Sequence, residues 1–290
     1  MKIIIFALLV SLFGSEVQAQ SFEVLNSKVE QGDVLLIRIA SQWQQGTLVS
    51  ISVFGKHYLP NSRGEVFIGI DKSIFSGKHI ATLVEYARAI RLSWDYEEVE
   101  VVERIFPTRR RVPGKPRNSN EVLAISKAYI DDNKFARYIA GHFVMPLDPE
   151  VINKDRSVGD VYSPFGGDSH RGVDLITLDP KTRKHQRPVK AINSGYVVLV
   201  ARLFSLEGNM IIIDHGSGIF SLYMHLSKFA VKQGDFVEVG QIIGISGKSG
   251  RVTGPHLHLA IKVGDPNDST KFTMVDPLAF IKTMNENLNR

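Results

Sequence analysis

The chain has 290 residues, 43% hydrophobic and 22% charged, with 35 Lys+Arg against 30 Asp+Glu for a formal charge of +5. This balance is globular, excludes a collagen-like, low-complexity or wholly disordered chain, and at this length predicts two domains. Cysteine is absent, which excludes disulfide frameworks, thiolate zinc fingers, iron–sulfur clusters and cysteine nucleophiles.

Lys2 precedes a mostly apolar run from Ile3 to Phe13, and polar residues then lead to Val17-Gln18-Ala19. That is the pattern of an export signal over residues 1–19, cleaved after Ala19. The run is too short to cross about 30 Å of hydrocarbon. No later stretch approaches a membrane span, so the mature chain is expected to be soluble, periplasmic and without stable membrane insertion. The mild basic excess suits a polyanionic partner without naming one; no nucleic-acid partner is expected.

From 20 to 106 the pattern is short β-like runs separated by turns. Val34–Ile39, Leu48–Phe54 and Val66–Ile70 are rich in β-branched and aromatic residues, with Gln31-Gly32-Asp33 and Pro60–Gly64 as turns. Further strands are expected at Ile80–Tyr86, Ala89–Trp94 and Glu97–Val102. The spacing predicts a β-sandwich of immunoglobulin-like size. His57 and His79 stand alone, which suits packing or surface roles. Residues 107–142 read as a connector: Arg109-Arg110-Arg111, Lys115 and Arg117 stand among prolines, and no acid falls between Glu103 and Glu121. Asn118-Ser119-Asn120-Glu121 opens a helical stretch to about Ala140, as one helix or as two broken near Asp131-Asp132-Asn133. From 143 to 290 the chain is β-rich, with strands expected at Val189–Ile192, Gly195–Ala201, Met210–Asp214, Ile219–Met224 and Gln241–Ile245. Asp276-Pro277 begins a final helix to about Leu288.

Six of the nine histidines lie between 170 and 258. In His170-Arg171-Gly172-Val173-Asp174, Gly172 disfavours a helix, and in an extended segment His170 and Asp174 share a side, with Gly172 leaving room for a metal ion to approach. Imidazole and carboxylate are suitable zinc ligands. His256 and His258 face one way on a strand while Leu257 and Leu259 face the core; the spacing allows either or both to ligate. Tyr223 and His225 are expected on one strand face. Each fragment alone is weak, but three fragments supplying four histidines and an aspartate point to a metal centre.

His170-x-x-x-Asp174, Tyr223-x-His225-Leu226 and His256-x-His258 resemble, in order and in their glycine context, the lysostaphin/LytM-type zinc endopeptidases of peptidase family M23. Gly208–Gly216 and Val231–Gly244 share the resemblance, which runs from about Pro146 to Pro277. It implies a mainly β protein: an N-terminal sandwich, a helical connector, and an antiparallel β peptidase domain closed by a helix. It implies one Zn2+ per chain held by His170, Asp174 and His258, with His225 and His256 as catalytic residues beside the open position. It further implies hydrolysis of peptide cross-links or stem peptides of peptidoglycan. The alternative is a non-catalytic LytM-type regulator that activates a wall amidase, against which the intact ligands and flanking histidines count. A biotinyl-type carrier, suggested by the Val231–Gly244 hairpin, has no use for the histidines, and the helical His-Glu-x-x-His signature of another zinc peptidase class is absent. His215 is expected to pack or support rather than ligate. Two departures from the family are visible. No arginine follows Phe165-Gly166 before His170, and the loop from Asp179 to Arg187 is longer and more basic than usual. The N-terminal domain and connector are expected to cover the groove until a partner or processing event exposes it; no activating partner is named by the sequence.

Overall fold

The computed structural model describes residues 22–39, 48–87, 90–106, 116–130, 136–148, 170–178, 181–265 and 268–288. The expected export signal, most of the basic run and the Phe165-Gly166 segment lie outside the described residues. Among those described, no helix is long and apolar enough to cross a membrane.

The N-terminal half supplies β1 (Phe22–Val24), β2 (Lys28–Glu30), β3 (Val34–Ile39), β4 (Leu48–Val53), β5 (Lys56–Tyr58), β6 (Glu65–Gly69), β7 (Gly77–Ala87) and β8 (Ile90–Val102). They form a three-stranded sheet, β1-β3-β6, and a five-stranded sheet, β2-β8-β7-β4-β5. Leu35, Ile37, Val66 and Ile68 of the first meet Ile51, Leu83, Val99 and Val101 of the second in one core. The strands expected at Ala89–Trp94 and Glu97–Val102 are one continuous strand, β8. A register shift against Leu83 and Val84 of β7 absorbs the interruption that their sequence suggests.

Strand β3 explains why its sequence lacks polar alternation. Leu35 and Ile37 point into the sandwich, whereas Val34 and Leu36, with Phe67 of β6, point into a second core shared with the C-terminal half. A strand buried on both faces reads as a continuous apolar run.

The connector contains α1 (Ser119–Ala128), with a capping box between Asn118 and Glu121. Asn118 Oδ1 accepts from the Glu121 amide at 3.0 Å and Glu121 Oε2 accepts from the Asn118 amide at 2.9 Å. The helix ends at Tyr129. Residues 136–142 are not helical; Arg137 instead bridges to Gly216, so no helix continues to Ala140. A nine-stranded sheet follows: β9 (Val173–Ile176), β10 (Pro188–Lys190), β11 (Gly195–Phe204), β12 (Gly208–Asp214), β13 (Ile219–Phe229), β14 (Phe236–Val237), β15 (Ile242–Ser246), β16 (His256–Asp265) and β17 (Asp268–Val275). The final helix, α2 (Pro277–Asn287), carries Pro277 in its first turn and is capped by Asp276, whose side chain accepts from the Leu278 amide.

The sheet has two working faces. Leu257, Leu259, Ile261 and Val263 of β16 enter the core that also takes Val34, Leu36 and Phe67. On the other face Ala260, Phe220, Leu222 and Met210 pack with Ala128 and Tyr129 of the connector. Among the described residues, the sandwich therefore sits behind the sheet and only the connector packs on its front. Polar contacts also tie the halves together: Arg137 Nε to Glu65 Oε2 at 2.6 Å, with both side chains at least 90% buried, Asn61 Nδ2 to Ser217 Oγ at 3.0 Å and Thr283 Oγ1 to Asp33 Oδ2 at 2.7 Å. A Cβ on Gly69 would lie 2.7 Å from Thr273 Cβ, so the small sheet presses directly on β17.

Candidate metal centre

The first ligand pair comes from register. Antiparallel pairing of β9 with β16 sets Asp174 opposite His258 and Val173 opposite Leu259. Alternation then sends Val173 and Leu175 into the core and leaves Asp174 on the front face with His256 and His258. His170, just before β9, completes the group. Its Nε2 lies 3.1 Å from Asp174 Oδ1 and 3.1 Å from His258 Nδ1, and His258 Nδ1 lies 2.8 Å from Asp174 Oδ1.

Three donor atoms within 4.8 Å of one another are a metal-binding geometry. Tetrahedral zinc bonds of about 2.0–2.2 Å place ligand atoms about 3.3–3.6 Å apart, so a few tenths of an ångström of outward movement suffices. Two imidazoles and one carboxylate are the donor set of a catalytic site with an open fourth position. Gly172 serves this site differently from the expectation. A Cβ there would stand 2.6 Å from His258 Nε2 and 2.4 Å from Leu259 O, so the glycine admits the His258 ring rather than an ion.

His225 reaches the front face by a break in the strand. Simple alternation puts Tyr223 and His225 on one side, but the β12–β13 register shifts between the Asn209 and Ile211 positions and His225 adopts φ 65°. Tyr223 consequently faces the core, while the His225 ring lies 4.7 Å from the His256 ring and 6.1 Å from that of His258, centroid to centroid. A left-handed non-glycine residue stores about 1–3 kcal/mol of strain and persists only where its surroundings enforce it. Here Glu207 O accepts from the His225 amide at 2.9 Å, and Asn209 Nδ2 and Ser249 Oγ both donate to Leu226 O. The expectation that Tyr223 shares a face with His225 is thus corrected. Tyr223 is fully buried, and its hydroxyl accepts from the Ile192 amide at 2.8 Å.

Two backbone carbonyls set the tautomers of the flanking histidines. His225 Nδ1 donates to Ser249 O at 2.9 Å and His256 Nδ1 donates to Gly254 O at 2.8 Å. Each neutral ring therefore presents the lone pair of Nε2; that of His256 lies 3.5 Å from Asp174 Oδ1. Burial, reinforced by His256 and His258, pushes His225 down to about 3. Burial also lowers His258, against the pull of Asp174. For Asp174 burial acts upward, but the hydrogen bonds from His170 and His258 outweigh it and hold the carboxyl well below the usual range. It is a permanent anion among imidazoles.

The remaining histidines stand apart. His215 is fully buried, bonded through Nδ1 to Ser194 O at 2.7 Å and through Nε2 to Ser221 Oγ at 2.8 Å, and burial pushes it down to about 4. It packs, as expected. His142 and His185 contribute backbone carbonyls, to Asn193 and Ser246. The basic loop, described from 181 to 187, is mostly exposed and anchored through Ser246. Sequence reading misses the Ser249 and Gly254 carbonyls, since backbone acceptors leave no residue-type signal.

Residues 168–271 match Peptidase family M23. Over 127 residues the chain is 40% identical to lysostaphin of Staphylococcus simulans, covering 42% of this chain and 24% of that protein. Over 85 residues it is 46% identical to the peptidoglycan DD-endopeptidase ShyA of Vibrio cholerae, covering 29% of this chain and 20% of that one. It thus spans about a quarter or less of these relatives' length. A crystal structure of an M23-type peptidase from Pseudomonas aeruginosa aligns with a TM-score of 0.53 at 25% identity, over 87% of this chain and 94% of that one. That likeness takes in the N-terminal layers as well as the nine-stranded sheet.

Proposed function

We propose that this chain, which matches Peptidase family M23 over residues 168–271, is an exported, zinc-dependent endopeptidase that hydrolyses peptide cross-links or stem peptides of bacterial peptidoglycan. The observation that carries this reading is the convergence of His170, Asp174 and His258 beside two further imidazoles whose Nε2 atoms are kept free of protons. His170, Asp174 and His258 fit one zinc ion, which when bound supplies a Lewis acid of the kind that makes water nucleophilic near neutral pH. The names of the relatives, a DD-endopeptidase among them, support the wall peptide as substrate, and the sequence pattern of residues 1–19 supports export.

The chain's own contribution follows from the tautomers. With Nδ1 committed to a carbonyl, His225 and His256 each act first as a proton acceptor at Nε2. The ring that takes the attacking water's proton then donates at Nε2 to the departing amine. The partner ring cannot donate to an oxyanion until it is itself protonated, and burial opposes that charge at His225. A purely regulatory role makes no use of two such rings.

The test is digestion of purified peptidoglycan by the exported form, with and without chelator, followed by mass analysis of the fragments. Chelator-sensitive loss of cross-linked dimers is expected. Zinc-loaded protein that releases nothing overturns the reading in favour of a non-catalytic regulator.

A further inference from the structure

The front face of β16 carries a charged residue that the metal centre does not use. Alternation places Lys262 on the side of His256, His258 and Ala260, opposite Phe220 on β13 and Met274 on β17. Its Nζ lies 3.4 Å from the centre of the Tyr129 ring and 4.7 Å from that of Phe272. Half-buried against two aromatic faces, the ammonium makes no hydrogen bond and meets no carboxylate among the described residues. A desolvated cation normally has such a partner.

The neighbouring charges are also positive. Arg171 and Arg117 are the groups that act on Lys262 electrostatically, and together with burial, the larger influence, they push its amine down to about 7. Arg117 is already matched by the buried Glu207, which accepts from its guanidinium. Arg171, next to His170, is exposed and has no acidic partner among the described residues. Two unmatched cations thus flank the metal ligands, one beside His170 and one four residues along the strand from His258. Lys262 lies about 13 Å along the strand from His258, a distance that an extended peptide covers in about four residues.

We propose that Arg171 and Lys262 form a carboxylate-binding subsite beside the metal centre, selecting peptides with a free carboxylate over their amidated counterparts. The subsite deepens the peptidase reading and rests on it for its place in a reaction. Its ligand is a carboxylate at the C-terminus or on a side chain of an acidic peptide. A carboxylate seated there restores the acceptor that Lys262 lacks and reverses the repulsion from Arg171. Both residues act on binding rather than on bond cleavage.

The experiment compares cross-linked stem peptides with free carboxylates, with only the C-terminal carboxylate amidated, and with only the side-chain carboxylates amidated, on the zinc-loaded full chain. One amidated form is expected to show KM raised about tenfold with kcat nearly unchanged, and which form it is identifies the carboxylate. Lys262→Gln and Arg171→Gln should each erase most of that discrimination, with Lys262→Arg restoring part. Equal KM for all three peptides on the unaltered protein overturns the proposal, and so does discrimination that persists in the double Gln variant. A second readout is independent of turnover: 13C NMR titration of the Lys262 side chain. Its midpoint should rise on adding the free-acid peptide and stay in place with the fully amidated one. An inactive protein that still shows the rise refutes the peptidase reading and keeps the subsite; one that cleaves without discrimination or rise does the reverse.

Discussion

Strands β3 and β16 lie in neighbouring layers of the same core and do opposite things with their outward faces. In β3 both faces are apolar, Val34 and Leu36 toward the large sheet and Leu35 and Ile37 toward the sandwich. In β16 one face is equally apolar, through Leu257, Leu259, Ile261 and Val263, and the other carries His256, His258 and Lys262. The first strand joins layers; the second gives one face to the candidate metal centre. The difference teaches that the shared core positions the site from behind. Leu257 and Leu259 are fully buried, which leaves His258 between them little freedom to turn.

Substitutions on the two strands should separate along this line. The largest effect is expected at the ligands: His258→Ala and Asp174→Ala should lose bound zinc and at least about a thousandfold in activity, measured by metal analysis and peptidoglycan digestion. Zinc-independent hydrolysis in either variant breaks the assignment. Next come His225→Ala and His256→Ala, expected to retain zinc while activity falls about 10²–10⁴-fold. Gly172→Ala should weaken zinc binding about 10–100-fold, because the added methyl displaces the His258 ring that a supporting contact now holds. On β3, Leu36→Ala should destabilise the fold by about 2–5 kcal/mol in urea titration and leave kcat/KM per folded molecule within about twofold. A large loss of kcat/KM there would show that the rear layer tunes the site rather than only supporting it.

A smaller and pH-dependent effect belongs to the core itself. His215 is neutral when folded, held near 4 against an ordinary value of 6.5. The unfolded chain therefore binds the extra proton first as pH falls. The stability gained by keeping this ring neutral is present above about 6.5 and is lost progressively down to about 4, in total about 3 kcal/mol. Urea midpoints of the metal-free protein at pH 7 and pH 5, compared with those of His215→Gln, isolate this contribution. Equal pH dependence in both proteins removes it.

Much of this was readable from residue order. His170, Asp174, His225, His256 and His258 stand out as a constellation, and the structure brings all five together. The helix starts at Asn118 and Asp276-Pro277 follow from local capping chemistry. The His-Leu-His alternation follows from the two-residue period of any strand. These features depend on neighbours within a few positions, so a single chain displays them.

Other features wait for distant partners. Tyr223 and His225 part company because a register shift against β12 turns the backbone through a left-handed residue. That shift is held by Glu207, Asn209 and Ser249, none of them adjacent in sequence to His225. Gly172 is required by the His258 ring, which is 86 positions away in the chain. The sandwich packs behind the sheet rather than over its front because Leu36 and Phe67 find their apolar complement on the rear face of β16. Periodicity is a property of the backbone and survives in the sequence. Register, the side on which layers stack and the lone pair each imidazole offers arise from contacts across the sheet, and only folding supplies those.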